Sequence, residues 1–315
     1  MKKSEKIDVR QPAALPAAEI IDPAKLRKMY QDGEIDLICV LGPTASGKTR
    51  YAVSLAREIG NAEILSADSR QVYRGMDIGP GKDLDEYEEI PYHLMDIVDA
   101  GTKYNIFEYQ RDFEAAYRDV VERGAVPILC GGSGLYVEAA TCGYSLPEVP
   151  PDPALREELE ANPTEELIAQ LASLKPLHNS TDYDTRKRLI RALEIAIYEA
   201  EHPVERTHFL PKKTYFIGTL VDREERNRRI DRRLDARIEE GMVDEIKGLL
   251  EHVPAEDLIY YGLEYKFVTL YATGQLTLDE MREQLATAIH QFAKRQMTWF
   301  RGMERKGIRI HWTNV

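Results

Sequence analysis

The stretch LGPTASGKTR, residues 41 to 50, frames a loop with two glycines and closes it with a lysine and a threonine. Gly42, Pro43, Thr44, Ala45, Ser46, Gly47, Lys48 and Thr49 fit the spacing G-x-x-x-x-G-K-[ST]. A loop of this kind turns its backbone N–H groups inward and makes a nest for anionic oxygens. The N-terminus of the helix that follows adds partial positive charge. Lys48 contributes a point charge, and the Thr49 hydroxyl is suited to ligate Mg2+. The chemistry implied is the holding of a diphosphate or longer chain. What those phosphates are attached to is not written in the loop.

A second polar stretch, SADSRQVYRGMDIGPGK, follows an apolar run. Asp68 falls at the end of that run, and its carboxylate suits three tasks. It can ligate magnesium through water, accept a proton, or cap the following turn. Ser69, Arg70 and Gln71 add hydrogen-bonding groups and Tyr73 a flat face, a set that suits a planar polar substrate. CGGSGLY, with Ser133 and Tyr136, supplies a third candidate rim.

These residues need elements to hold them. IDLICVL, residues 35 to 41, predicts a buried strand, and KTRYAVSLAREIG a helix stopping at Gly60. AEILSADS reads as a second strand, and FEYQRDFEAAYRDVVERG as an amphipathic helix closed by Gly124. AVPILCGGSGLYVEAA adds a third strand, a glycine turn and a helix. Alternating strands and helices predict a parallel sheet with crossover helices, whose ligands gather at the carboxyl ends of the strands. All three polar loops fall there. The expected fold is therefore α/β, a P-loop NTPase-like parallel sheet with flanking helices. Four prolines, Pro147, Pro150, Pro151 and Pro153, begin a strand-poor stretch that reads as a helical insertion over residues 149–208. The core is expected over 34–148 and 209–315, mostly helical after Arg223, and residues 1–33 as a mobile polar tail with one short helix after an Asp22 cap.

The 315 residues carry 42 Lys and Arg against 54 Asp and Glu, a formal charge of -12. That sum argues against a nucleic-acid partner, and basic runs such as DTRKRLIRAL and DREERNRRIDRRLDARI read from composition alone as solvated helix faces. Cys39, Cys130 and Cys142 lack zinc-ligand spacing and read as small hydrophobes in a reducing compartment. No secretory signal and no run long enough for a membrane span is visible, so a cytoplasmic protein with no membrane partner is expected.

Taken in order, GPTASGKT, SADSRQVYRGMDIG, YHLMDI, GGSGLY, RKRLIRALEI and AKRQMTWFR resemble the tRNA dimethylallyltransferases, also called tRNA isopentenyltransferases. The likeness runs from about residue 36 to the C-terminus. It implies transfer of a dimethylallyl group from dimethylallyl diphosphate to N6 of the adenosine 3′-adjacent to the anticodon, position 37, of a tRNA. By that resemblance the phosphate loop, Gly42 to Thr49, holds the donor's diphosphate, Thr49 ligates Mg2+, and ATP is not used. Arg233 resembles the arginine that reaches the departing phosphates, with Arg229 as a second. Asp68 matches the general base for the N6 proton, so that Asp68, Lys48, Thr49 and Arg233 form the implied catalytic set. Asp68, Ser69, Arg70 and Gln71 match the segment that meets the target base, which must leave its stack. Lys187, Arg188, Leu189, Ile190 and Arg191 match a basic helix on the tRNA anticodon stem-loop, and Ser133 and Arg156 match further contacts. Positive charge gathered in one groove lets an acidic protein bind tRNA. A monomer is expected.

The chain departs from the family pattern at Pro80-Gly81, where Thr-Ala is usual, at Ser133 in place of threonine, and in YGLEYKF. Three rival readings remain open on sequence. One is a P-loop small-molecule kinase; another is an adenylate isopentenyltransferase with a free nucleotide as acceptor; the third is an RNA-binding protein without catalysis.

Overall fold

Five apolar residues in a row leave a strand no face for solvent, and Leu37–Leu41 (β1) is buried along its length. The computed structural model describes residues 16–143, 149–175, 177, 185–202, 211 and 213–315. In chain order, α1 (Pro23–Gln31) and β1 are followed by α2 (Lys48–Ile59), β2 (Ala62–Ser66) and the short β3 (Tyr73–Arg74). A 3-10 turn at Leu84–Tyr87 precedes β4 (Tyr92–His93), β5 (Val98–Asp99), α3 (Ile106–Glu122), β6 (Val126–Gly131) and α4 (Gly134–Thr141). Three helices come next: α5 (Pro153–Glu160), α6 (Thr164–Leu174) and α7 (Arg186–Glu201). The chain then forms β7 (Thr214–Leu220), α8 (Arg223–Glu240), α9 (Met242–Leu249) and α10 (Ala255–Tyr261). It ends with α11 (Leu263–Ala272), the long α12 (Leu278–Arg305) and β8 (Ile310–Asn314).

Six strands form one sheet in the order β4-β2-β6-β1-β7-β8, every pairing parallel. The fold is α/β with a parallel central sheet, as expected. Register decides what this sheet can build. Leu41 pairs with Gly131 on one side and Gly218 on the other, and Ser66 pairs with Cys130. The carboxyl ends of β1, β2, β6 and β7 therefore stand level, and the loops after Leu41, Ser66 and Gly131 open at one edge.

By contact the chain divides into two compact units, Met1–Cys142 with Leu210–Val315, and Gly143–Phe209. In the second unit α5, α6 and α7 pack around Leu159, Leu167, Leu171, Leu189 and Leu193. The proline-rich start of this stretch and its end near residue 208 lie partly outside the described residues.

Two sequence expectations need correction. The chain is mostly helical after Arg223, as expected, but it ends in an unforeseen strand: IHWTN forms β8 beside β7, with the Trp312 ring against Gly218 and His311 stacked on Tyr215 at 4.3 Å. Its side chains mix polar and apolar types, and pairing with β7 rather than any strong local pattern makes it a strand. The short helix expected after Asp22 forms as α1, but it packs on the core instead of riding in a mobile tail. Asp22 caps α1 by accepting from the N–H groups of Ala24 and Lys25, and Leu26 is buried in the core beside α2. Glu19 N–H donates to the Trp312 carbonyl at 2.6 Å. Residues 1–15 lie outside the described residues.

Candidate active site

The loop after β1 is shaped by steric necessity. A Cβ on Gly42 would overlap Thr219 Oγ1 and lie 2.6 Å from Ser46 Oγ. Those two hydroxyls are hydrogen-bonded at 2.7 Å, which ties the loop to the end of β7. Ala45 and Gly47 both have positive φ, 59° and 81°, and a non-glycine residue in that region is strained unless its surroundings hold it there. Thr44 N–H donates to Gln296 Oε1 at 2.8 Å, and Gln296 Nε2 donates to the Gly132 carbonyl at 2.9 Å. One amide on α12 thus clamps the first and third loops together. The N-terminus of α2 has no side-chain cap and no acid in its first turn, which leaves its orphan N–H groups for an anion. Desolvation by burial pulls the Lys48 ammonium below the usual lysine range, with Cys130 and Asp68 opposing and Arg233 and Arg237 reinforcing the shift.

Asp68 lies beyond β2, within electrostatic reach of Lys48. Its Oδ1 accepts from Arg70 N–H at 3.0 Å, so the turn-capping task is fulfilled, and no hydrogen bond engages Oδ2 among the described residues. Ser69 N–H donates to Ser133 Oγ at 3.2 Å, joining the second and third loops.

Beside the phosphate loop, the helix α8 carries a row of arginines four residues apart, on one face of the helix. Arg233 Nη2 donates to Asp83 Oδ2 at 3.1 Å. Arg237 is buried, and Arg233 and Arg237 line a narrow cleft with Thr44, Ala45 and Glu264. Ile230, Leu234, Met242 and Ile289 form its apolar wall. Glu264 has its carboxyl held above the usual range by burial, against the lowering effect of Arg237 and Arg233.

The sequence models of two families match: the IPP transferase model over residues 71–303 and the isopentenyl transferase model over residues 35–91. A tRNA dimethylallyltransferase 2 of Porphyromonas gingivalis is 59% identical over 284 residues, 89% of this chain and 94% of that one. The chain belongs to the IPP transferase family, that of the tRNA dimethylallyltransferases. Two solved structures agree. A full-length tRNA isopentenylpyrophosphate transferase from Bacillus halodurans has a TM-score of 0.63 at 34% identity, covering 88% of this chain and 89% of that one. A eukaryotic dimethylallyltransferase acting on tRNA has a TM-score of 0.68 at 26% identity, covering 84% of this chain and 69% of that one.

Within this family frame the structure sorts the residues the sequence singled out. Gly42 to Thr49, Asp68, Ser69, Ser133 and Arg233 gather around the carboxyl edge of the sheet. Arg229 does not line the cleft; its Nε donates to Glu225 Oε1 at 2.9 Å on its own helix. Gln71 is buried, with Oε1 accepting from Ser66 Oγ at 2.8 Å and Nε2 donating to the Gly81 carbonyl at 3.2 Å, so it holds its loop rather than presenting an open amide. The Tyr73 and Tyr136 faces are likewise spent, against Tyr261 at 4.4 Å and Tyr109 at 4.1 Å.

In the helical unit Leu189 and Ile190 face its core and offer RNA no side chain. Arg156 Nη2 pairs with Glu194 Oε2 at 2.7 Å, and Arg191 pairs with the same carboxylate. Lys187 and Arg188 stand exposed on α7. Sequence reasoning missed Gln296, Thr219, Glu264 and Arg237. For Arg237 a signal existed: it lies one helical turn beyond Arg233, on the buried side with Ile230 and Leu234.

Proposed function

We propose that this chain transfers a dimethylallyl group from dimethylallyl diphosphate to N6 of the adenosine 3′-adjacent to the anticodon in tRNA. One observation carries the reading: a phosphate loop and two arginines share a small cleft with a wall of Ile230, Leu234, Met242 and Ile289. Anion and hydrocarbon together suit an allylic diphosphate. In the transfer the donor C–O bond breaks, a C–N bond forms at N6, the N6 proton passes to Asp68, and diphosphate departs. Lys48, Arg233 and the loop N–H groups stabilise the charge that develops on the leaving group.

Among the described residues no cluster of three or more His, Cys, Asp or Glu is arranged to hold a metal. Mg2+ needs no such cluster, since it keeps its waters and takes one or two protein ligands beside substrate phosphates. Thr49, at the start of α2, is the residue that would hold it, and the ion would neutralise phosphate charge. The basic exposed side chains of α7 would meet the tRNA. No described helix is long and apolar enough to cross a membrane, and Cys39, Cys130 and Cys142 are free thiols.

The test is to incubate the protein with Mg2+, dimethylallyl diphosphate and unmodified tRNA, then analyse digested nucleosides by mass spectrometry. N6-(dimethylallyl)adenosine should appear in tRNA without ATP. Product on free AMP alone would point to an adenylate isopentenyltransferase, and acceptor-dependent phosphate release from ATP to a kinase.

A further inference from the structure

Arg237 is one of the most deeply placed cations in the first unit, 8% exposed, yet its guanidinium is incompletely satisfied. Nη1 donates to the Gly79 carbonyl at 3.1 Å. Nη2 is buried without a hydrogen bond; its nearest anion is Asp83 Oδ2 at 3.5 Å, and that oxygen already accepts from Arg233 at 3.1 Å. One carboxylate thus serves two guanidinium groups one helical turn apart. Burial, and then the neighbouring Arg233 charge, bring Arg237 down to about 10. Glu264, the other acid lining the cleft, is itself displaced towards the neutral form by burial.

The chain has made room for this arrangement. Gly81 has φ +62°, and a Cβ there would overlap Arg237 Nη2 and lie 2.4 Å from Cζ or closer to Arg233 Nη2. The loop below is fixed independently of Arg237. Glu245 accepts from the N–H groups of Asp77 at 2.8 Å, Ile78 at 2.7 Å and Gly79 at 3.2 Å, and from Tyr265 Oη at 2.9 Å. A buried donor left over beside a phosphate loop is suited to an anion that arrives later.

We propose that Arg237 is a second diphosphate-binding side chain, its Nη2 donating to the donor's diphosphate together with Arg233, the missing Cβ of Gly81 making room for the two guanidinium groups. This rests on the reading that the phosphate loop holds that diphosphate. Arg237 takes the place that helical spacing also offered to Arg229, whose charge is already engaged by Glu225.

The experiment titrates inorganic diphosphate and, separately, inorganic phosphate into the full chain with Mg2+, using the wild type, Lys48→Ala, Arg237→Gln and Arg237→Lys. Melting temperature is followed alongside. Arg237→Gln is expected to weaken diphosphate binding about tenfold or more and to narrow the preference for diphosphate over phosphate. Arg237→Lys, which keeps the charge but not the fork, should fall between it and the wild type. Diphosphate affinity within twofold of wild type in Arg237→Gln, while Lys48→Ala loses binding, overturns the proposal and leaves the phosphate-loop reading standing. Lys48→Ala binding like wild type would sink the phosphate-loop reading instead. Equal weakening of both anions with a lowered melting temperature means that Arg237 only supports the fold, and also overturns the proposal. If Arg237→Gln does not fold, Arg237→Lys decides: an intermediate diphosphate affinity supports the assignment, and wild-type affinity rejects it.

Discussion

Two demands meet on the carboxylate of Asp68. One oxygen caps the turn that leads to Arg70, and the other takes no hydrogen bond from the described protein, close to Lys48. Asp68→Asn keeps size and most of the capping but removes the basic site. If the open oxygen takes the N6 proton, kcat should fall by about 10² to 10⁴, with donor affinity nearly unchanged because the loop and Lys48 remain. Recovery of turnover at raised Mg2+ would assign the residue to the metal. A lowered melting temperature with near-normal kcat would leave it a cap alone. The sequence placed Asp68 at the right strand end, since that follows from a short apolar run. It did not reveal that Gln71, three residues on, is consumed by Ser66 and Gly81, because the end of β2 and the Gly81 carbonyl meet around that amide only once the loop has folded.

On α7 the same physics separates residues that look alike in a basic run. Lys187 and Arg188 are exposed, and Arg191 joins Arg156 on the buried Glu194. Changing Lys187 and Arg188 together to Ala should weaken tRNA binding and flatten its salt dependence by about two phosphate contacts' worth, roughly 1.5 to 2 in the log–log slope. Binding measured across a salt series checks this; an unchanged slope would make α7 a solvated face. Glu194 has a different role. Burial pushes its carboxyl up, but hydrogen bonds from Arg156, the Asp152 N–H and Arg191 pull it net below its ordinary 4.5. With the folded value below the unfolded one, its stabilisation is complete above about pH 4.5 and is lost as pH falls through the folded value. Glu194→Gln should destabilise the helical unit by about 1–3 kcal/mol at neutral pH, discounted because both arginines are partly exposed. The deficit relative to wild type should shrink on acidification, and denaturant melts at two pH values would show whether it does.

At the scale of the molecule, the site depends on contacts between distant parts of the chain. Gln296, near the middle of α12, reaches Thr44 N–H and the Gly132 carbonyl, 252 and 164 residues away in sequence. Gln296→Ala would leave two buried polar groups without partners, at a cost of about 1–3 kcal/mol each. The melting temperature should drop by about 2–4 °C per kcal/mol lost. Donor affinity should also fall, since the phosphate loop loses its clamp, while tRNA affinity should hold. Wild-type donor affinity in this variant, measured by calorimetry, would show that the loop keeps its shape unaided.

The sequence by itself determined the phosphate loop with its strand and helix, the parallel α/β plan, and the strand-end position of Asp68. Each of these rests on spacing within about ten residues, where backbone geometry and burial leave few alternatives. The family motifs, read in order, added the chemistry. Tertiary structure decided which arginines of α8 face the cleft: Arg229 pairs with Glu225 on its own helix, whereas Asp83 and the Gly79 carbonyl, from a distant part of the chain, engage Arg233 and Arg237. It also decided that Leu189 and Ile190 are core rather than contact, and that IHWTN is a strand. Burial and partner choice are long-range properties, set when elements far apart in sequence pack together, and a run of charged or mixed residues reads the same before that packing occurs.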